Sequence, residues 1–169
     1  MGTVFRKATN GDFEAVWQII ADAKRLMAAR GSSQWTAGYP AQADIESDLR
    51  AGCAYVACDD GGRTVGYACI AESPEPAYGA IEGRWLAAGP YVTVLRLAVA
   101  AAWRGRGVAR ALMAWAEGVG RACGAASVRV DTNHDNAAML RLLPAMGYAR
   151  CGTVSYGPRG ERIAFEKLL

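Results

Sequence analysis

The sequence has a single histidine, His134, among 169 residues. One histidine excludes any multi-histidine metal centre. It also excludes a serine–histidine–aspartate triad unless His134 is itself the base. The cysteines (Cys53, Cys58, Cys69, Cys123 and Cys151) are odd in number and widely spaced. That pattern fits neither a disulfide framework nor a CxxC metal site, and it reads as reduced, partly buried thiols. No metal is expected. No apolar run reaches the roughly 18 residues that span a bilayer. The opening segment MGTVFRKATNGD lacks the apolar core of a signal peptide. The expected location is therefore cytoplasmic, with no membrane partner. The net charge of +3 is too small for a protein that coats nucleic acid, so any basic function has to be local. Repeats, linkers and low-complexity tracts are missing as well. A chain of 169 residues then suits a single domain, 1–169, with one sizeable core.

What is present is a regular alternation of strand-like and helix-like segments. Residues 3–8 read as a first strand. Thr9-Asn-Gly-Asp12 has the form of a helix-capping box. Behind it Phe13, Val16, Trp17, Ile20 and Met27 recur at helical spacing, which predicts a helix over 10–29. Residues 31–40, GSSQWTAGYP, form a loop with aromatic content, and a second helix over 41–51 ends at Gly52. Residues 53–58 and 63–71 alternate around Asp59-Asp-Gly-Gly62, a hairpin signal. Residues 72–90 are rich in Pro, Gly and Ala and read as a connection with room for a short element. Residues 91–99, YVTVLRLAV, make the strongest strand. After Gly107, the residues Val108, Leu112, Trp115 and Val119 share one stripe, as in a helix packed on a sheet. A strand over 126–132 follows. Asn136 can cap a helix running to about 146, stopped by Gly147. Pro144 removes a bond to the Leu140 carbonyl and is expected to kink or shorten that helix. Strands over 148–155 and 162–168 close the chain. The order β-α-α-β-β-β-α-β-α-β-β describes an α/β domain with a mixed sheet.

One stretch carries unusual chemistry: WRGRGVARALM, residues 103–113. An RNA-binding RG segment is normally repeated, and here a single copy is wedged between a strand and an amphipathic helix. A dinucleotide fingerprint wants a small residue where Arg110 stands. A Walker loop needs Gly-Lys-Ser/Thr, and this stretch has no lysine. What remains is strand, short glycine loop, helix start. Glycines let the backbone turn tightly and bring its N–H groups close to a ligand. The first helical turn offers unpaired N–H donors and a partial positive charge, a ready phosphate site. Arg104, Arg106 and Arg110 add charge-assisted donors. The stretch reads as a diphosphate cradle, the alternative being a surface loop with solvated arginines.

With these residues in view the sequence resembles the GNAT N-acetyltransferases. Their Gln/Arg-x-x-Gly-x-Gly/Ala motif, after a strand and opening a helix, is matched by Arg104-Gly-Arg-Gly107-Val-Ala109. A second region, Asn136 to Tyr148, is similar to the family's Asn-x-x-Ala-x-x-Leu-Tyr-x-x-x-Gly-Phe. The resemblance implies the GNAT fold, a central mixed and mostly antiparallel sheet flanked by helices. It implies acetyl-CoA as co-substrate, held by Leu97, Ala98, Val99, Arg104, Gly105, Arg106, Gly107, Val108, Ala109, Arg110 and Asn136. It also implies that two neighbouring strands splay at a bulge near Leu97–Val99, where the Leu97 backbone N–H polarises the acetyl carbonyl.

The implied reaction is direct attack of a primary amine, on a small molecule or a peptide, on the thioester. An alkyl amine has a pKa of roughly 10, so it must lose a proton first and a base is valuable. Asp131, at the end of the strand before Asn136, is the first candidate; a turn-capping role is its alternative. His134 has a suitable intrinsic pKa but sits in a polar loop. The family's usual acid, a tyrosine, aligns with Leu143, and Tyr148 reads as core, so no acid is assigned. Gln34, Trp35, Tyr39 and Trp85 are candidate walls of the acceptor pocket. A non-catalytic acyl-CoA sensor on the same fold is the nearest rival, favoured by Leu143. A nucleic-acid binder using Arg96, Arg104, Arg106, Arg110 and Arg121 is the rival from another class, and no nucleic-acid partner is expected. Monomer and homodimer are both compatible with the sequence.

Overall fold

The structure, a computed structural model, describes residues 2–169. Among them are eight strands and four α-helices: β1 (Val4–Lys7), α1 (Phe13–Ala29), α2 (Gln42–Ala51), β2 (Ala54–Cys58), β3 (Thr64–Ala71), β4 (Glu82–Gly83), β5 (Tyr91–Val99), α3 (Val108–Ala122), β6 (Ser127–Thr132), α4 (Ala137–Ala145), β7 (Ala149–Ser155) and β8 (Glu161–Leu168). The architecture is mixed α/β with mostly antiparallel strands. Only β4 lies outside the predicted order, as two residues within the 72–90 connection. The chain divides into two compact units, Met1–Ile70 with Leu95–Trp115 and Ala71–Val94 with Ala116–Leu169.

In the first unit β1, β2 and β3 form an antiparallel meander, with Val4 opposite Cys58 and Ala54 opposite Cys69. The later part of β5 continues beyond β3. Every residue of β2 is buried, as its unbroken apolar run requires. Asp59 closes the β2–β3 turn by accepting the Gly61 and Arg63 N–H groups, both at 2.9 Å. Helix α1 buries Val16, Ile19, Ile20 and Ala23, an i, i+3, i+4, i+7 stripe that joins Trp35, Ile45, Val56, Tyr67 and Ala98 in one core. Each fully buried large apolar side chain contributes about 1.5–3 kcal/mol. The Thr9 signal is realised mainly through Asp12. Its carboxylate accepts the Thr9 N–H at 2.7 Å and two bonds from Arg6 at 2.8 and 2.9 Å. The Arg6 guanidinium holds Asp12 below the usual carboxylate range.

Gly66 sets how close α3 comes to β3. A Cβ there would lie 2.9 Å from Val108 Cγ1 and 3.2 Å from Leu112 Cδ1. Both neighbours are buried, Leu112 completely, so neither side chain has free space to yield into. Gly66→Ala is expected to destabilise the protein by about 1–3 kcal/mol through overpacking. A denaturant melt checks this, and an unchanged midpoint would mean that α3 is free to shift. The buried face of α3 is Val108, Leu112, Met113 and Ala116. Trp115, expected on that stripe, is instead 38% exposed and stacks on Phe5. Its neighbour Ala116 is fully buried instead.

In the second unit the first part of β5 pairs parallel with β6, Tyr91 to Val94 against Ser127 to Val130. Antiparallel pairs carry the sheet on through β8 and β7 to β4. A buried polar network secures the 72–90 connection. The Glu166 carboxylate accepts from Ser127 Oγ at 2.6 Å, Arg129 Nε at 3.0 Å and the Leu86 N–H at 2.5 Å. The Arg129 guanidinium also lies between the rings of Trp85 and Tyr91, at 4.3 and 4.0 Å. Asn136 caps α4 as expected, its side chain accepting the Met139 N–H at 3.3 Å. The helix ends one residue after Pro144, and Gly147 turns the chain with φ 89°.

Candidate active site

The 103–113 stretch folds as its composition suggests. Residues 104–107 form a turn and α3 begins at Val108. Gly105 and Gly107 adopt φ 74° and 83°, a region that side chains with a Cβ rarely enter. A Cβ at either position would meet nothing within 4 Å, so conformation rather than packing demands glycine, and the space beside the loop is open. The first intrahelical bond runs from the Ala111 N–H to the Gly107 carbonyl at 3.0 Å. The N–H groups of Val108, Ala109 and Arg110 thus stand ahead of the helical ladder, as at any helix start. The side chains of Arg104, Arg106 and Arg110 are exposed. Arg104 Nε donates to the Val99 carbonyl at 3.2 Å, and Arg106 lies 5.5 Å from the Trp103 ring. An open cleft of about 330 Å³ runs beside them, lined by Thr3, Trp103, Arg106, Gly107, Val108 and Ala111. Such a set of donors and charges can hold a diphosphate.

The strand before the loop is distorted. The ladder of β5 with β6 ends at Val94. Two residues on, Arg96 has φ 53°, the one non-glycine among the described residues with positive φ. Leu97 and Val99 are half-buried and Ala98 is buried in the core. Arg96 donates to both oxygens of Asp48, Nε at 2.9 Å and Nη2 at 2.5 Å, and its Nη1 donates to Tyr39 Oη at 2.8 Å. Tyr67 Oη donates to Asp48 at 2.6 Å. Burial, then the Asp48 charge, pushes the Tyr67 phenol up, so it stays a donor. Asp48, Cys53 and Cys69 also bring three metal-ligating atoms together, but the Arg96 guanidinium already takes both Asp48 oxygens.

Asp131, the penultimate residue of β6, is half-buried. Its Oδ2 accepts Tyr78 Oη at 2.7 Å and Tyr156 Oη at 2.6 Å. Burial raises its pKa above the ordinary carboxylate value, while the two phenols and the Arg162 charge pull it partly back. Burial, then the Asp131 charge, keeps Tyr78 protonated as a donor. A carboxylate raised in this way is better matched to proton abstraction near neutral pH than a solvated one. His134, the other base candidate, is exposed.

A family model, the acetyltransferase (GNAT) family, matches residues 13–148. The chain belongs to the GNAT acetyltransferase family. A GNAT acetyltransferase of Streptococcus agalactiae is 32% identical over 100% of this chain and 96% of its own, with a TM-score of 0.88. One from Listeria monocytogenes is 20% identical over 99% and 95%, with a TM-score of 0.78. The NatC complex bound to Gag peptide and CoA aligns at 19% identity over 100% and 99%, with a TM-score of 0.70. At these two lower identities the likeness is one of fold. No curated protein matches the sequence significantly.

In this GNAT chain the position of the usual tyrosine is a fully buried Leu143, and Tyr148 is buried with its hydroxyl 3.5 Å from Glu117. The candidate acceptor walls have varied surroundings. Trp35 is 7% exposed within the core, Tyr39 binds Arg96, and Gln34 is half-buried in its loop. Trp85, in the second unit, packs at 5.0 Å on Tyr78, donates to the Tyr78 carbonyl at 3.0 Å and meets Arg129. Asp48, Tyr78 and Tyr156 are site residues that the sequence pattern does not single out. Asp48 had a signal: it lies three residues after Ile45 on the buried stripe of α2, where a charge needs a partner. The tyrosines had none, since they lie 53 and 25 residues from Asp131.

Proposed function

We propose that this GNAT protein is an acetyl-CoA-dependent N-acetyltransferase that acetylates a primary amine on a small molecule or peptide by direct attack in a ternary complex. The observation that supports it most is the glycine turn of 104–107, with open space before it and unpaired N–H groups behind it, directly after a strand bent at Arg96. Backbone N–H groups of 105–110, with Arg104, Arg106 and Arg110, hold the diphosphate, and Asn136 contributes to donor binding. The Leu97 N–H polarises the thioester carbonyl, and a preorganised donor of this kind is worth about 10²–10³ in rate. Asp131 takes the amine proton. The nitrogen then forms the new C–N bond, gives up its second proton to solvent as the C–S bond breaks, and the sulfur leaves as thiolate. With a thiol pKa of about 8.5 that leaving group is tolerable without a positioned acid, which suits the apolar Leu143. The protein acts in the cytoplasm and as a single functional domain.

Amine-dependent release of free thiol from acetyl-CoA, measured against polyamines, amino acids, aminoglycosides and peptides, tests this reading. Release with at least one acceptor class supports it. Saturable acetyl-CoA binding with no release across the panel selects the sensor reading, which the buried Leu143 favours.

A further inference from the structure

The Arg96 conformation is out of character with its strand. Arginine gains nothing intrinsic from a left-handed backbone, and holding a residue with a Cβ there costs free energy. Such an outlier persists only where its surroundings over-determine it. Here they do. The side chain is 12% exposed and is gripped at three nitrogens: two bond Asp48, itself 6% exposed, and one bonds Tyr39. Asp48 is fixed in turn by Tyr67 and by its place on α2, where it lies on the buried face beside Ile45. This is a bidentate, buried, fully partnered pair between a helix and the one bent residue of β5. Its cost is large on both sides, because a buried charge needs its partner. A plain packing role would be met as well by two apolar residues.

We propose that Asp48 and Arg96 are positioning residues: their ion pair, steadied by Tyr39 and Tyr67, holds β5 in its left-handed bend and thereby sets the backbone N–H groups of Leu97 to Val99 for the acyl donor. This rests on the donor-binding reading above. Neither side chain touches the donor; both act through the backbone of β5.

The test uses two charge-free double variants, so that no unpaired buried charge confuses the result. Asp48→Ala/Arg96→Gly removes the clamp and puts at 96 the residue that takes a left-handed backbone freely. Asp48→Ala/Arg96→Leu removes the clamp and leaves a residue that resists that conformation. Acetyl-CoA affinity is measured by calorimetry, alongside a thermal melt of each protein. The glycine double is expected to bind within about threefold of wild type, and the leucine double about tenfold more weakly, from the cost of the left-handed backbone. Equal affinity in both doubles, whether like wild type or equally weakened, overturns the proposal. Stability alone does not carry the test, since glycine and leucine at 96 are compared in affinity. If wild type itself does not bind acetyl-CoA, the donor reading fails, an outcome separate from failure of the clamp. Should the leucine double not fold, the comparison moves to Asp48→Ala/Arg96→Ala, which carries a left-handed penalty with less bulk.

Discussion

Gly107→Glu is expected to weaken acetyl-CoA binding more than a hundredfold without unfolding the protein. Two effects add. Gly107 sits at φ 83°, and any residue with a Cβ pays about 1–2 kcal/mol to stay there. The new carboxylate then projects into the open space beside the loop, where no heavy atom lies within 4 Å of the Cβ. At about 4 Å from a phosphate, in an environment of intermediate dielectric, like-charge repulsion costs about 4 kcal/mol, and 1.4 kcal/mol is tenfold in affinity. Gly107→Ala isolates the first effect and is expected to lose only about tenfold. Titration calorimetry on the three proteins separates the terms. Equal losses for alanine and glutamate would mean that no anion is bound at this loop.

The second large effect is at the other end of the chemistry. Asp131→Asn is expected to lower the acetyl-transfer rate by about 10²–10⁴, the range for loss of a general base. The pH dependence follows from the direction of its shift. Burial raises the folded-state pKa, so the carboxylate becomes an active base only as pH rises through that raised value. Wild-type kcat/KM should therefore fall on the acid side, and the asparagine variant should lose that limb. The stability effect has the opposite sign. A carboxyl whose pKa is raised by folding binds protons more readily in the native state, so its contribution declines as pH rises from the unfolded to the folded value. Above both values the ionised Asp131 is a liability that asparagine relieves, while its amide oxygen still accepts the Tyr78 and Tyr156 hydroxyls. A lower rate with an unchanged or higher Tm is the expected pair of results. His134→Ala, at an exposed position, should change the rate by less than about threefold. A large loss there with an active Asp131→Asn would move the base to His134.

The sequence made the local features legible and left the long-range ones hidden. The 104–110 cradle could be read because one segment carries the glycines, the arginines and the helix start together. The cap at Asn136 and the stop at Gly147 are equally local. The clamp could not be assembled in the same way, since Asp48 and Arg96 lie 48 residues apart. Each was nonetheless visible as an anomaly, Asp48 on the buried stripe of α2 and Arg96 as the lone charge in YVTVLRLAV. Two charges misplaced on apolar faces are a reason to pair them. Sequence alone groups Arg96 with the surface arginines of a nucleic-acid binder, and its burial removes it from that set. The phenols around Asp131 come from the 72–90 connection and from the residue just after β7, where composition signals only loop and strand. Trp115 shows the limit of the helical stripe, because periodicity fixes the face but not which residue on its margin is covered.

A thermal melt of the wild-type protein with and without acetyl-CoA decides whether the 104–110 loop binds the donor. At a hundred times Kd a single-site ligand stabilises the native state by about 2.7 kcal/mol, which for a chain of this size raises Tm by about 5–10 °C. A saturable rise of that order, absent in Gly107→Glu, is the expected result. No rise at millimolar acetyl-CoA, or the same rise in both proteins, would contradict it.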